Sequence, residues 1–190
     1  MTVIPLRPVG DRRTDEERVR ACSTGDASAL NELWSEHAPA VWRFLGRLLG
    51  KEREIEGLVQ ASFIEVWRSA PRFRGESSVR VWILGIAHNK ARRHLRTRGR
   101  RQAFLALLSM FPEPVSRPID ELTHDRSMVA RVAELLPSLS PEQRSAFVLV
   151  DLEGVSTVDA ARLLELRPGT LRRRLFDARQ KLRAALEEKP

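Results

Sequence analysis

Apolar residues recur along this chain at the three-to-four spacing of helices and almost nowhere with the alternation of strands. The pattern begins at Asp15 and is broken by Gly25 and Asp26. Leu30, Leu33 and Trp34 then mark one amphipathic helix. Val41, Leu45, Leu48 and Leu49 mark the next, which Pro39 starts and Gly50 stops. A third helical face carries Ile55, Leu58, Val59, Phe63, Val66 and Trp67 and ends at Pro71. A polar loop over 72–78 leads to a fourth helix, with Val79, Trp82, Ile83, Ile86 and Ala87 turned inward.

From residue 97 to 126 the character changes. Pro112, Pro114 and Pro118 exclude a continuous helix, so this stretch reads as a flexible linker with room for one short helix over 104–111. A compact four-helix unit follows, its first helix lined by Met128, Val132, Leu135 and Leu136. Ser140, Pro141 and Gln143 supply an N-cap, a first-turn proline and a capping-box partner for the second helix, which Gly154 closes. Ser156 and Asp159 form the next capping box and open a short third helix through Leu164. A turn over 165–167 precedes Pro168 at the start of a long last helix. The expected architecture is all-α: a flexible N-terminal segment over 1–14, a helical domain over 15–96, the linker over 97–126 and a helix-turn-helix domain over 127–188.

Charge then narrows the partners. Of 190 residues, 33 are Lys or Arg and 25 are acidic, a formal net charge of +8 that suits a polyanion, since each cation placed on a phosphate releases a condensed counterion. Charge alone fits RNA or an anionic membrane equally well. The single cysteine, Cys22, allows no disulfide framework and no CxxC metal site, which suits a reducing cytoplasm. Pro5 and Pro8 break the first ten residues, which carry no apolar core of signal-peptide length, and the longest apolar runs are too short to span a bilayer. No nucleotide loop, Ser/His/Asp set or paired-carboxylate arrangement stands out. His88 and His94 are roughly 240° apart around a helix and make poor metal ligands. The reading is therefore of a non-enzyme without cofactor or metal, acting in the cytoplasm.

The basic residues are not spread evenly. From 167 to 183 there are seven cations and one acid, whereas 137–165 holds five acids and two arginines. On the last helix Leu171, Leu175, Ala178 and Leu182 form the stripe to be buried. Arg173 lies opposite them, flanked by Thr170, Arg172, Arg174 and Arg179. A solvated outer face explains many charged helices. Here the capping box, the short turn and the one-sided arginines together describe a helix presented to a DNA major groove.

These motifs resemble those of the extracytoplasmic-function (ECF) sigma factors. In the second half the similarity rests on Leu136 and Pro137, on Leu152, Gly154 and Ser156, on Gly169, Thr170, Leu171 and Leu175, and on Ala178, Arg179 and Leu182. Glu165 stands where the family's turn usually carries glycine. In the first half it rests on Gly25, Asp26 and Ala27, on Leu58, Val59 and Gln60, and above all on Phe73, Arg74, Gly75, Glu76, Ser77 and Ser78 followed by Trp82, Ile86, Ala87 and Asn89. Glu54, Ile55, Glu56 and Gly57 replace a stretch that is often more acidic.

The resemblance implies core RNA polymerase and promoter DNA as partners, and a separate anti-sigma factor as a third. Polymerase docking falls to Leu58, Gln60, Phe63, Ile64 and Trp67. Capture of the melted minus-10 strand falls to Phe73, Arg74, Gly75, Glu76, Ser77, Ser78 and Asn89, where a ring, hydroxyls and an amide offer stacking and base-edge hydrogen bonds. Lys90, Arg92, Arg93 and Arg96 are placed to hold its phosphates. Arg167, Thr170, Arg172, Arg173, Arg174 and Arg179 are assigned to the minus-35 duplex. Trp82, in phase with Val79, Ile83 and Ile86, reads as core before it reads as a DNA wedge. A free-standing helix-turn-helix regulator explains the second half but leaves the 73–78 loop idle. A sigma-like interaction module without polymerase docking, and a nucleic-acid-modifying enzyme, are the remaining alternatives.

Overall fold

The computed structural model describes residues 13–50, 53–108 and 128–187. Eight α-helices run through them: α1 (Asp15–Ser23), α2 (Ala27–Leu49), α3 (Ile55–Ser69), α4 (Val79–Leu108), α5 (Met128–Leu135), α6 (Pro141–Phe147), α7 (Thr157–Leu163) and α8 (Pro168–Glu187). Residues 1–12 and 109–127 lie outside the described residues, and with them most of the expected N-terminal segment and linker.

Local chemistry starts most of these helices. Thr14 Oγ1 accepts from the Glu17 N–H while Glu17 accepts from the Thr14 N–H, a closed capping box for α1. Asp26 accepts from the Ser28 N–H at the head of α2. Ser140 and Gln143 form the expected box before α6. At α7 only half of the expected box forms. Ser156 Oγ accepts from the Asp159 N–H but donates its own hydrogen to the Asp159 carboxylate, 2.7 Å away, so Asp159 does not reach back to the N-cap backbone.

Two expectations fail at prolines. Pro39 does not start a helix but sits inside α2, on its solvent side. A proline there costs ~3 kcal/mol. The apolar stripe runs through it in phase: Leu33, Val41, Phe44 and Leu45 are all 1% exposed or less, and burying each is worth ~1.5–3 kcal/mol. Tertiary burial therefore carries the helix across the proline. In the opposite sense, α4 runs on to Leu108, well into the segment expected as linker. Helix formers fill 100–108 and the first proline comes only at Pro112.

Helices α1–α4 close around Phe44, Leu33, Leu45, Val59, Val66, Ile83 and Leu84. Helices α5–α8 close around Leu136, Leu149, Ala160, Leu171, Leu175 and Ala178, with α6 and α7 both packed on α8. Between α6 and α7 the chain makes a π turn over Val148–Leu152, in which the Glu153 N–H reaches back to the Val148 carbonyl at 2.9 Å. The extra residue advances the helical phase by about 100°. It leaves Asp151 facing α8 and Glu153 buried against the other domain. The second domain packs directly on the first, with α6 and the π turn against α2 and with α7 against α4.

Candidate nucleic-acid interface

The turn between α7 and α8 is built by backbone hydrogen bonds from Leu164, Glu165 and Leu166 to carbonyls of α7. Glu165 takes φ 56°, the one non-glycine residue with positive φ among the described residues. The side chain that replaces glycine here is thus held in the left-handed region, at a cost of roughly 1–2 kcal/mol. The turn leads into α8 with Leu171, Leu175, Ala178 and Leu182 all buried, as the periodicity predicts. Arg167, Thr170, Arg172 and Arg173 are exposed, and Arg174 is half-buried. Arg179 differs from these. Its guanidinium lies on the Asp151 carboxylate, with Nη2 at 2.7 Å and Nε at 3.2 Å, an engagement that raises its pKa. Phe176, 60% exposed, stands one turn along the same face as Arg172. The sequence reading passed over it, although it is out of phase with the buried stripe.

On the first domain, Phe73 packs against Trp82 with ring centroids 4.8 Å apart, both half-buried. Phe73 therefore props Trp82 from behind and does not stand free in the loop. Gly75 turns the loop with φ 71°. Ser78 caps α4, its Oγ accepting from the Val81 N–H. A cavity of about 270 Å³ then opens, lined by Ser77, Trp82 and Asn89 from the first domain and by Asp159, Arg162 and Leu163 from α7. Of the predicted capture residues, Ser77 and Asn89 are brought together there. Arg74 and Glu76 are exposed beside it, and the Glu76 carbonyl accepts from Arg162 Nη1 at 3.1 Å.

The cations beyond this cavity divide into two kinds. Lys90 reaches across to Glu65 on α3 at 2.9 Å and holds that carboxyl below its ordinary range. Arg92 is half-buried, with its Nε left without a partner. Arg93 and Arg96 are exposed. On α3, Gln60 and Ile64 (53% exposed) face solvent, and Leu58 and Trp67 are half-buried. Phe63 is only 2% exposed, its ring tilted against Trp34 with centroids 4.7 Å apart, so it backs this face without presenting itself. Trp34, which with Leu30 and Leu33 marks the amphipathic pattern of this helix, is 37% exposed and extends the face onto α2.

These features fall within two matched families. Residues 33–101 match Sigma-70 region 2, and residues 130–182 match Sigma-70, region 4. The chain is 31% identical over 182 residues to the ECF RNA polymerase sigma-E factor of Haemophilus influenzae, covering 90% of this chain and 95% of that one. It is 34% identical over 166 residues to the ECF RNA polymerase sigma factor SigE of Mycolicibacterium smegmatis, covering 85% of this chain and 64% of the relative. Among solved structures, the sigma factor RpoE in complex with the anti-sigma factor NepR, from Bartonella quintana, superposes with TM-score 0.68 at 26% identity, covering 84% of this chain and 98% of that one. Matched in both halves by these family models and over most of its length by these relatives, the chain belongs to the ECF sigma factors, which bind core RNA polymerase and direct promoter-specific transcription initiation.

Proposed function

We propose a division of that task between the two domains. Helix α8 and the turn before it read the minus-35 duplex through Arg167, Thr170, Arg172, Arg173 and Arg174, and Ser77 and Asn89 select a base of the melted minus-10 strand. The observation that carries this reading is the exposure of Thr170, Arg172 and Arg173 opposite a fully buried stripe on the second helix of a helix-turn-helix. Arginine forks pair with guanine in the major groove, and the methyl of an exposed Thr suits thymine. In the first domain Trp82, propped by Phe73, supplies a stacking surface, and Arg74, Glu76 and Ser78 shape the loop around it. Gly75 gives the loop its turn. Arg93 and Arg96 are free to hold phosphates, with Arg92 and Lys90 behind them. Gln60, Ile64, Trp67 and Leu58, backed by Phe63, form the polymerase-docking face. Tethering two weak DNA modules makes the second contact intramolecular, so promoter choice depends on both elements and on their spacing.

Two further readings rest on the relatives. RpoE was solved with an anti-sigma factor, and a separate protein of that kind is proposed as a partner here. No helix among the described residues is long and apolar enough to cross a membrane, and the cytoplasm, where core polymerase works, is the proposed location.

Run-off transcription with bacterial core polymerase and a library of promoter fragments tests the reading. Wild type should select fragments sharing two short elements at a fixed spacing. On a promoter pre-melted by mismatches, Asn89→Ala should blur the preference for one minus-10 base, and Arg93→Ala should weaken all bases alike and lower the salt slope. Selection of a single closed-duplex element, unaffected by Asn89→Ala, would return the chain to the class of free-standing regulators.

A further inference from the structure

The last helix carries one negative charge on the side proposed to meet DNA. Over 167–183, Asp177 stands alone among seven cations. Thr170, Arg173 and Asp177 follow one another at intervals of three and four residues, so they form a single stripe along α8. That stripe lies away from Leu171, Leu175, Ala178 and Leu182, all buried. Thr170 and Arg173 are exposed, and Asp177 is half-buried. Phe176, 60% exposed, adjoins it on the same outer surface. The other two aspartates among the described residues of this domain already have cations. Asp151 holds Arg179 at 2.7 Å, and Asp159 lies 3.6 Å from Arg162. Asp177 has no ion pair and no side-chain hydrogen bond among the described residues, although Arg173 and Lys181 stand one turn to either side. Lys181 turns instead to Gln143 Oε1, at 3.3 Å. No contact within the domain therefore engages this carboxylate.

On a duplex, its charge makes it selective. A carboxylate accepts hydrogen bonds and donates none, so it is repelled by phosphates and by base edges that carry acceptors. In the major groove guanine presents O6 and N7, thymine presents O4, and adenine presents N7 beside its N6 amino group. Cytosine presents its N4 amino group with no acceptor next to it, and is the base whose edge satisfies a carboxylate best. The stripe also has a suitable length. Seven residues at the helical rise separate Thr170 from Asp177 by ~10 Å, about three steps of a duplex rising ~3.4 Å per base pair. Phe176 excludes water from the contact as it docks, which raises the cost of leaving Asp177 without a donor.

We propose that Asp177 is a specificity-determining residue for the upstream element, its carboxylate accepting from the N4 amino group of a cytosine. That cytosine lies about two base pairs along from the position read by Arg173, since four residues of helix advance ~6 Å. A guanine, adenine or thymine in its place sets an acceptor against the carboxylate, so Asp177 rejects promoters as well as selecting them. The inference rests on the reading of α8 as the duplex-reading helix and assigns one further base to it.

The test uses holoenzyme assembled from the full chain and bacterial core polymerase, transcribing a promoter library randomised over the upstream element. Sequencing the transcribed templates ranks the four bases at every position. Wild type should favour cytosine about tenfold at one position. Asp177→Ala should flatten that position and, by removing a negative charge near the phosphates, raise the yield from the remaining templates. Asp177→Asn is the sharper variant. The Asn amide pairs with adenine N6 and N7, so the preference should move from cytosine to adenine. Gain of a new base cannot come from a damaged fold. An unchanged ranking of bases in both variants would overturn the proposal. So would a higher yield from every template at unchanged ranking, the mark of a charge that acts only by repulsion. Arg173→Ala keeps this failure apart from failure of the helix reading. If Arg173→Ala changes the ranking and the Asp177 variants do not, α8 still reads the duplex and Asp177 does not. If no variant at either residue changes any position, the α8 reading falls as well.

Discussion

Arg179 sets both Nε and Nη2 on the carboxylate of Asp151, 28 residues earlier, and so ties α8 to the π turn that ends α6. That engagement separates Arg179 from its neighbours. Arg172 and Arg173 are exposed and aimed away from the domain, whereas the Arg179 fork is already occupied. Arg173→Ala should relax base preference at the upstream element by ~1–3 kcal/mol. Arg179→Ala should lower the stability of the second domain by ~1 kcal/mol or less, the upper end for an exposed pair, and leave base preference unchanged. Binding selections on randomised duplexes check both. A changed base preference for Arg179→Ala would show that the Asp151 pair opens on DNA.

The turn before α8 holds a side chain where the backbone favours none. Glu165→Gly removes the left-handed penalty at φ 56°, and the extra freedom of glycine in the unfolded chain offsets part of the gain. The net expectation is a stabilisation of ~1 kcal/mol, read as a raised urea midpoint with an unchanged slope. A loss of stability would mean that the Glu165 side chain makes a contact worth more than the strain.

Neighbouring residues on α3 should behave in opposite ways. Gln60→Ala with Ile64→Ala removes exposed side chains, so the chain should keep its helical content and bind core polymerase ~1–2 kcal/mol more weakly, roughly tenfold. Phe63→Ala empties a core site against Trp34 and should cost ~3–5 kcal/mol of folding stability. Co-elution with core polymerase and circular dichroism distinguish them. Undiminished polymerase binding by the double variant would move the docking face elsewhere.

Acid should weaken the fold through His88. Burial, with Arg92 adding repulsion, pushes its pKa down to about 4, so the ring is neutral in the native chain and takes up a proton on unfolding at mildly acid pH. The stability this group allows is present in full above pH 6.5 and falls away as the pH drops from there to about 4. The total is on the order of 3 kcal/mol. His88→Leu should flatten that slope in urea titrations between pH 7 and 4.5. A slope that survives the substitution would assign the acid sensitivity to other groups.

What could be read from the residues alone was what short-range physics decides. The buried stripe Leu171, Leu175, Ala178 and Leu182, the cap at Ser140 and the turn at 165–167 each depend on contacts within a few residues, and their spacing carries the signal. The same local logic misjudged Pro39 and the extent of α4, since burial of Leu33, Phe44 and Leu45 on a continuous face outweighs a proline's cost. Within the candidate site, spacing singled out helices and a loop but could not say which side chains stay free. Phe63 and Ile64 are adjacent, yet one is core and the other surface. Phe73 is spent on Trp82 and Arg179 on Asp151. Glu153 meets Arg47 and Arg80 across separations of 106 and 73 residues. No periodicity encodes pairings of that range, because they exist only once two independently patterned domains have packed together. Whether a charge faces solvent, a neighbouring helix or the other half of the chain was therefore decided by the tertiary structure.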